Sequence, residues 1–233
     1  QEEIVAWSTT VSQEIAMLDV AISYRSGTDE AEGLIGDLRV HTETSEQEVL
    51  VGGWSSFEVD MKEHLSDRIP IVLAFVLMLT MALVWLQVRS VVVPIKAVLM
   101  NILSVSASFG LIVVVFQDGL LSEALNFSPQ PLDLMVPPLV FGIAFGLSMD
   151  YEVLMLSRIH EAWNETGDNT LAVATGLQAS GSLITGAAAI MIAVFSGFIF
   201  ADVMIIKSIG FALAVAVFVD ATIVRAIVVP SAM

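Results

Sequence analysis

Five apolar stretches, each close to the length a bilayer demands, constrain this chain more than anything else in it. A helix rises about 1.5 Å per residue, so crossing a hydrocarbon core of about 30 Å takes about 20 apolar residues. Residues 69–88, 97–117, 134–157, 182–201 and 203–229 each meet that requirement. In lipid the backbone must satisfy its own N–H and C=O groups, so such stretches fold as helices. With 56% apolar and only 15% charged residues, a 233-residue chain of this kind reads as a multispanning all-α membrane bundle.

Charge is concentrated at the front. Residues 1–69 hold 4 basic and 15 acidic residues, against 5 and 10 in the rest. Residues 1–68 therefore read as a separate water-facing module, and its acidity excludes nucleic acid and anionic lipid surfaces, which are recognised by Lys and Arg clusters. Strand character over 16–24 and 48–51 brackets a helical pattern over 29–40, where Ala31, Leu34, Ile35 and Leu38 recur at helical spacing. This predicts a β-α-β unit, about half of a small α/β sandwich, whose open edge requires partner strands from elsewhere. Gly52-Gly53 closes the second strand, and residues 54–68 continue as a helix into the first span. The front of the chain has no basic region followed by a short apolar core, so no signal peptide is read and the chain is expected to be a fragment. The absence of cysteine excludes disulfides and thiolate metal sites.

Five crossings put the acidic module and the C-terminus on opposite sides. Arg89, Lys96, Arg158 and Arg225 fall on the C-terminal side, whereas the loops on the module's side hold only Lys207, which is expected to snorkel to the interface. The positive-inside rule makes the C-terminal side cytoplasmic and the module extracytoplasmic. Lys62 and Arg68 beside the first span narrow that bias. Residues 118–133 and 158–181 are expected to be the longer connections, the second carrying an amphipathic surface helix.

One ionisable side chain sits where a membrane tolerates it least. Asp150 follows the almost wholly apolar residues 134–148, and Val153-Leu154-Met155-Leu156 continues the run. A charged Asp at the bilayer centre costs about 2.5–3.5 kcal/mol on insertion scales, so such residues face a bundle interior or wet cavity and mark ion pathways. Gly142, Gly146 and Asp150, spaced i, i+4, i+8, lie within about 80° of one another around the helix, so the carboxylate is expected to point at a closely approaching helix. Ala212, Ala216 and Asp220 repeat the arrangement in the fifth stretch, with Arg225 five residues on. Asn101, Ser104 and Ser108 form a polar stripe on the second stretch, able to donate hydrogen bonds into the bundle. Each motif has a structural reading beside the functional one. Asp150 could be locked in an interhelical hydrogen bond, Asp220 could pair with Arg225 as a staple, and the stripe could be packing glue. Tyr151, about 100° further round, is placed to donate to a carboxylate on a different helix, and Glu152 to lie nearer the cytoplasmic interface. No nucleophile–base pair, phosphate-cradling loop or metal cluster is seen, so the chain is read as neither an enzyme nor an ATPase, with no cofactor.

The run Phe145-Gly146-Leu147-Ser148-Met149-Asp150-Tyr151-Glu152-Val153, followed by Ser157-Arg158-Ile159, resembles the MMPL family of the resistance-nodulation-division superfamily. Ordered matches extend along the chain: Val51-Gly52-Gly53 and Asp60; Arg89-Ser90, Pro94 and Lys96-Ala97; Asn101, Ser104 and Phe116-Gln117-Asp118-Gly119; then Gly176-Leu177, Ile184-Thr185, Ala187-Ala188, Ile209-Gly210-Phe211 and Asp220-Ala221-Thr222 with Arg225. The resemblance implies the second half of a twelve-helix transporter in a bacterial cytoplasmic membrane, with residues 1–68 the end of an extracytoplasmic porter domain. It also implies that Asp150 and Tyr151 belong to a proton relay completed by a similar Asp-Tyr pair in the N-terminal half, and that Asp220 and Arg225 bear on activity. Many members have an Arg where this chain reads Gly181-Ser182-Leu183-Ile184-Thr185, so no role of that Arg transfers.

The function implied is proton-driven export of lipids or other hydrophobic molecules, with protons as the coupling ion. Drug efflux is an alternative within transport. Outside it stand a non-transporting module similar to sterol-sensing domains and a protein-translocation accessory akin to the SecD and SecF pair, against which the Met149-Asp150-Tyr151-Glu152 context argues.

Overall fold

A computed structural model describes residues 5–10, 16–24, 26–43 and 49–228, with side chains for 16–24, 26–42 and 49–224. The chain divides into two compact units, residues 1–68 and 69–233.

In the first unit, strands β1 (Val5–Thr10) and β2 (Ala16–Ala21) pair antiparallel, Trp7 opposite Asp19 and Thr10 opposite Ala16. Helix α1 (Asp29–Glu43) follows, with Thr28 Oγ1 accepting from the Ala31 N–H and Asp29, Glu30 and Glu32 in the positive first turn. Its inner face is Ala31 and Ile35, while Leu38 is exposed. Helix α2 (Trp54–Val88) begins in this unit and passes the boundary at residue 68 without interruption, Pro70 included. Arg39 grips Asp60 bidentately, Nη1 to Oδ1 at 2.6 Å and Nη2 to Oδ2 at 3.0 Å, and also donates to Ser56. Lys62 donates to both Glu32 oxygens.

Among the described residues the order is β-β-α, against the expected β-α-β. The partner of β2 is the preceding β1, because a short connection suits an antiparallel hairpin. Residues 49–51 form no strand, Leu50 is 87% exposed with no neighbouring strand among the described residues, and Glu48 lies outside the described residues.

The second unit is helical. After α2 come α3 (Val92–Ile112), which continues through a π-helical turn (Val113–Gln117), the short α4 (Ser122–Leu125), α5 (Val136–Thr166), α6 (Asn169–Phe198) and α7 (Met204–Val219), which runs on as π-helix over Asp220–Val228. Among the described residues five helices are long and apolar enough to cross a membrane. Lipid removes the hydrophobic drive between helices, leaving close packing and hydrogen bonds to hold them together. Glycine supplies the close packing. A Cβ at Gly176 of α6 would lie 2.7 Å from the Ile159 backbone nitrogen of α5, and one at Gly210 of α7 would lie 2.8 Å from the Phe195 carbonyl oxygen of α6. The central cluster joins α3, α5 and α7 through Val105, Ile112, Phe116, Val140, Ala144, Ala212, Leu213 and Ala216. Phe116 stacks on Phe127 and meets Phe211 edge-on.

The expected 158–181 connection is a tight turn instead. Helix α5 extends to Thr166, Gly167 adopts φ +65°, and Asp168 caps α6 by accepting from the Leu171 N–H at 3.1 Å. The polar residues here lie on the outer faces of two continuing helices, whose inner faces bury Ile159, Ala162, Ala172, Val173 and Gly176. Likewise α3 starts at Val92, ahead of the expected residue 97, because Pro94 is tolerated in a first turn that makes no intrahelical N–H bond.

Candidate functional site

Helix α5 presents its chemistry on two faces. Gly142, Gly146 and Asp150 lie along one face and all three are exposed, with nothing within 4 Å of where a Cβ would stand on either glycine. Asp150 makes no hydrogen bond or ion pair with any described residue. Among the described residues no other helix covers Asp150. The reason is that α3, α6 and α7 are all taken up by the other face of α5, through Ala144, Ser148, Met155 and Ile159.

Tyr151, one residue on, turns into the bundle. Its hydroxyl donates to the Met191 sulfur of α6 at 3.1 Å, and its ring borders a small cavity with Ser104, Ser148, Ile184, Ala188, Ala216 and Asp220. The cavity holds about 10 Å³, room for about one water molecule. Four of its lining side chains carry oxygen, so it is a polar spot inside an apolar bundle. Asp220 is 6% exposed and Ser148 equally buried.

Asp220 opens the π-helical stretch that ends α7, and its N–H reaches the carbonyls of both Ala216 and Val217. Local π geometry is uncommon and recurs at functional sites, because the widened turn re-aims the side chains that follow. The side chain of Arg225, and so the expected pair with Asp220, lies outside the described residues.

The polar stripe of α3 meets α7 turn by turn. Ser108 Oγ donates to the Ala212 carbonyl at 2.7 Å and Ser104 Oγ to the Ala216 carbonyl at 3.2 Å. Asn101, 1% exposed, sends Nδ2 to the Phe145 carbonyl of α5 at 3.4 Å, while its Oδ1 is buried without a partner among the described residues. The stripe thus ties α3 to both α5 and α7.

Two polar residues sit deeper than expected. Lys207 does not snorkel outward: it is 7% exposed, its Nζ donates to the Leu125 carbonyl at 2.7 Å and lies 5.9 Å from the centre of the Phe127 ring. A helix-end carbonyl and a ring face both attract a cation, which draws the side chain inward. Glu152 is 7% exposed within α5. Ser148 was missed by sequence reasoning, although its spacing from Tyr151 marks it as a one-turn neighbour on the inner face. Among the described residues no cluster of three or more His, Asp or Glu could hold a metal ion.

In the first unit, the Arg39 hydrogen bond holds the Asp60 carboxyl below the ordinary value of 3.8, and Asp60 in turn raises Arg39.

Comparison with known proteins follows this geometry. The family model described as "MMPL family" matches residues 5–233. The mycolic acid-containing lipids exporter MmpL11 of Mycolicibacterium smegmatis is 46% identical over 184 residues, 78% of this chain and 19% of that protein. The heme uptake protein MmpL11 of Mycobacterium tuberculosis is 45% identical over 187 residues, 80% of the chain and 19% of that protein. The trehalose monomycolate exporter MmpL3 of Mycobacterium tuberculosis is 39% identical over 197 residues, 84% of the chain and 21% of that protein. The chain spans about a fifth of the length of the curated relatives it matches. A family match over nearly the whole chain, together with five membrane-length apolar helices, makes this a multi-pass membrane protein that belongs to the MMPL family.

Proposed function

We propose that this chain is the C-terminal part of a transporter that uses the proton-motive force to export lipids or other hydrophobic molecules across a bacterial cytoplasmic membrane. The observation that carries the reading is the divergence of two adjacent residues. Asp150 stands uncovered on a glycine-lined face, while Tyr151 borders the cavity that holds Asp220. A bare carboxylate facing lipid is unfavourable, and glycines permit close backbone approach, so that face suits another helix of the same transporter. The occupant is the N-terminal half, bringing its own Asp-Tyr pair. Asp150 and Tyr151 then form the relay, with Asp220 the inner carboxylate and Arg225 its neighbour in sequence.

Residues 1–68 complete an extracytoplasmic porter domain supplied mainly by the preceding sequence, and every position of β2 is exposed as that requires. Arg89, Lys96 and Arg158 argue for a cytoplasmic C-terminus. Because the chain has no cysteine, single cysteines at Ser90 and Ser122 would report their sides by impermeant-reagent labelling; Ser90 is expected to be protected and Ser122 labelled in intact cells.

Two of the relatives are named as exporters of mycolic-acid lipids or of trehalose monomycolate. The test is transport by the full-length protein in proteoliposomes under an imposed pH gradient. A mycolate-type glycolipid is expected to move and a soluble cationic drug to remain. The reverse preference would make the protein a drug pump, and no gradient-dependent movement of any substrate would make it a non-transporting module.

A further inference from the structure

The one buried side-chain atom of the polar stripe left without a partner among the described residues is Asn101 Oδ1. Its neighbours on the stripe say where it sits. Ser108 bonds the Ala212 carbonyl and Ser104 the Ala216 carbonyl, so α3 and α7 run antiparallel and descend together one turn at a time. The next stripe residue on α3 is Asn101, and the next turn of α7 begins at Asp220. Both are buried, and Asn101 is fixed from its other side by the Phe145 carbonyl.

Donor chemistry then discriminates between two states of the carboxyl. An ionised carboxylate only accepts hydrogen bonds, so it cannot serve Oδ1; a protonated carboxyl carries an O–H that can. An orphaned acceptor in a low-dielectric interior is costly, which makes the protonated state the one that completes this part of the bundle. We propose that Asn101 is a positioning residue that reads the protonation of Asp220, its Oδ1 accepting from the protonated carboxyl and so joining α3 to α7 where the helix turns π-helical. This rests on the transport reading for its purpose but not for its chemistry. Loss of the proton frees that turn of α7 from α3, while the Ser104 and Ser108 bonds above it persist.

The groups around Asp220 bear on the same titration. From α5 the cavity wall contributes Tyr151, the one other titratable side chain there among the described residues; α6 contributes Ile184 and Ala188, and α3 Ser104 and Val105. The side chain of Arg225 is outside the described residues.

The test is an infrared pH titration of the full-length transporter in membranes. The carboxylic C=O band that vanishes in Asp220→Asn reports the protonated Asp220. In Asn101→Leu and in Asn101→Ala the loss of the acceptor is expected to raise the frequency of that band. Ser108→Ala, two turns away, is expected to leave the band in place. An unmoved frequency in either folded Asn101 variant, or an equal shift in Ser108→Ala, overturns the proposal. If the leucine variant fails to fold, the alanine variant carries the test. The readout needs no transport, so failure here and failure of the export reading are distinguishable.

Discussion

Gly176→Ala adds one methyl group at the closest approach of two membrane helices. The new Cβ would lie 2.5 Å from Ile159 Cγ1, 2.7 Å from its backbone nitrogen and 2.8 Å from its Cα. A side-chain atom could rotate away, but the backbone of α5 cannot. Ordinary contact begins near 3.4 Å, so the helices must part by about 0.7 Å. A gap of that size forfeits about a quarter to a half of each contact across it, here among Met155, Ile159, Val173 and Ile184. Overpacking costs about 1–3 kcal/mol, and a rigid neighbour puts this site at the upper end. Alanine's better helix propensity returns about 1 kcal/mol, leaving a net loss of about 1–2 kcal/mol. The control is Gly186→Ala on the same helix, exposed and with nothing within 4 Å, where propensity acts alone. Thermal unfolding of both variants in one detergent should separate them by about 2–3 kcal/mol, or about 4–12 °C in Tm for a chain of this size. Stabilities within about 0.5 kcal/mol of each other would refute the close approach.

Further outcomes follow from other contacts. Ser104→Ala and Ser108→Ala should each cost about 0.5–1.5 kcal/mol in detergent unfolding, the range of interhelical hydrogen bonds in membranes; no loss in the double variant would remove them as ties between α3 and α7. Lys207→Met keeps the length but loses the donor to Leu125, so thermolysin should cut residues 118–133 faster than in the parent, whereas unchanged cutting would deny Lys207 that role. Asp60 has its carboxyl held below its ordinary value, so the stability it gains from Arg39 is present above pH 3.8 and is lost as pH falls through the lowered value. The denaturant-stability difference between parent and Asp60→Asn should accordingly shrink on acidification below that pH, and a constant difference would contradict the pairing.

Much of this architecture was legible from hydropathy because bilayer thickness fixes helix length. The ends of the helices were not, since hydropathy records where an apolar run stops and α5 and α6 continue past those runs on amphipathic turns. The first strand escaped notice because β1 and β2 are held to each other and residues 5–10 carry only a weak alternation. At the site, Tyr151 and Asp150 point in different directions, since a single residue step turns a helix by about 100°. Spacing alone could not say which side was covered. That depended on α3, α6 and α7 all choosing the face of Ser148 and Met155, leaving Asp150 on the open one. The π-helical start at Asp220 has no signature in the sequence that a period of 3.6 residues would reveal.

The central claim is that Asp150 carries protons for transport, and proton flux measures it most directly. Full-length protein in proteoliposomes, loaded with a pH-sensitive dye and given a pH gradient, should pass protons when a lipid substrate is present. Asp150→Asn keeps the size of the side chain but removes its titration, so flux should fall to the level of empty vesicles while the amount of inserted protein is unchanged. Flux at the parent rate in Asp150→Asn would contradict the account.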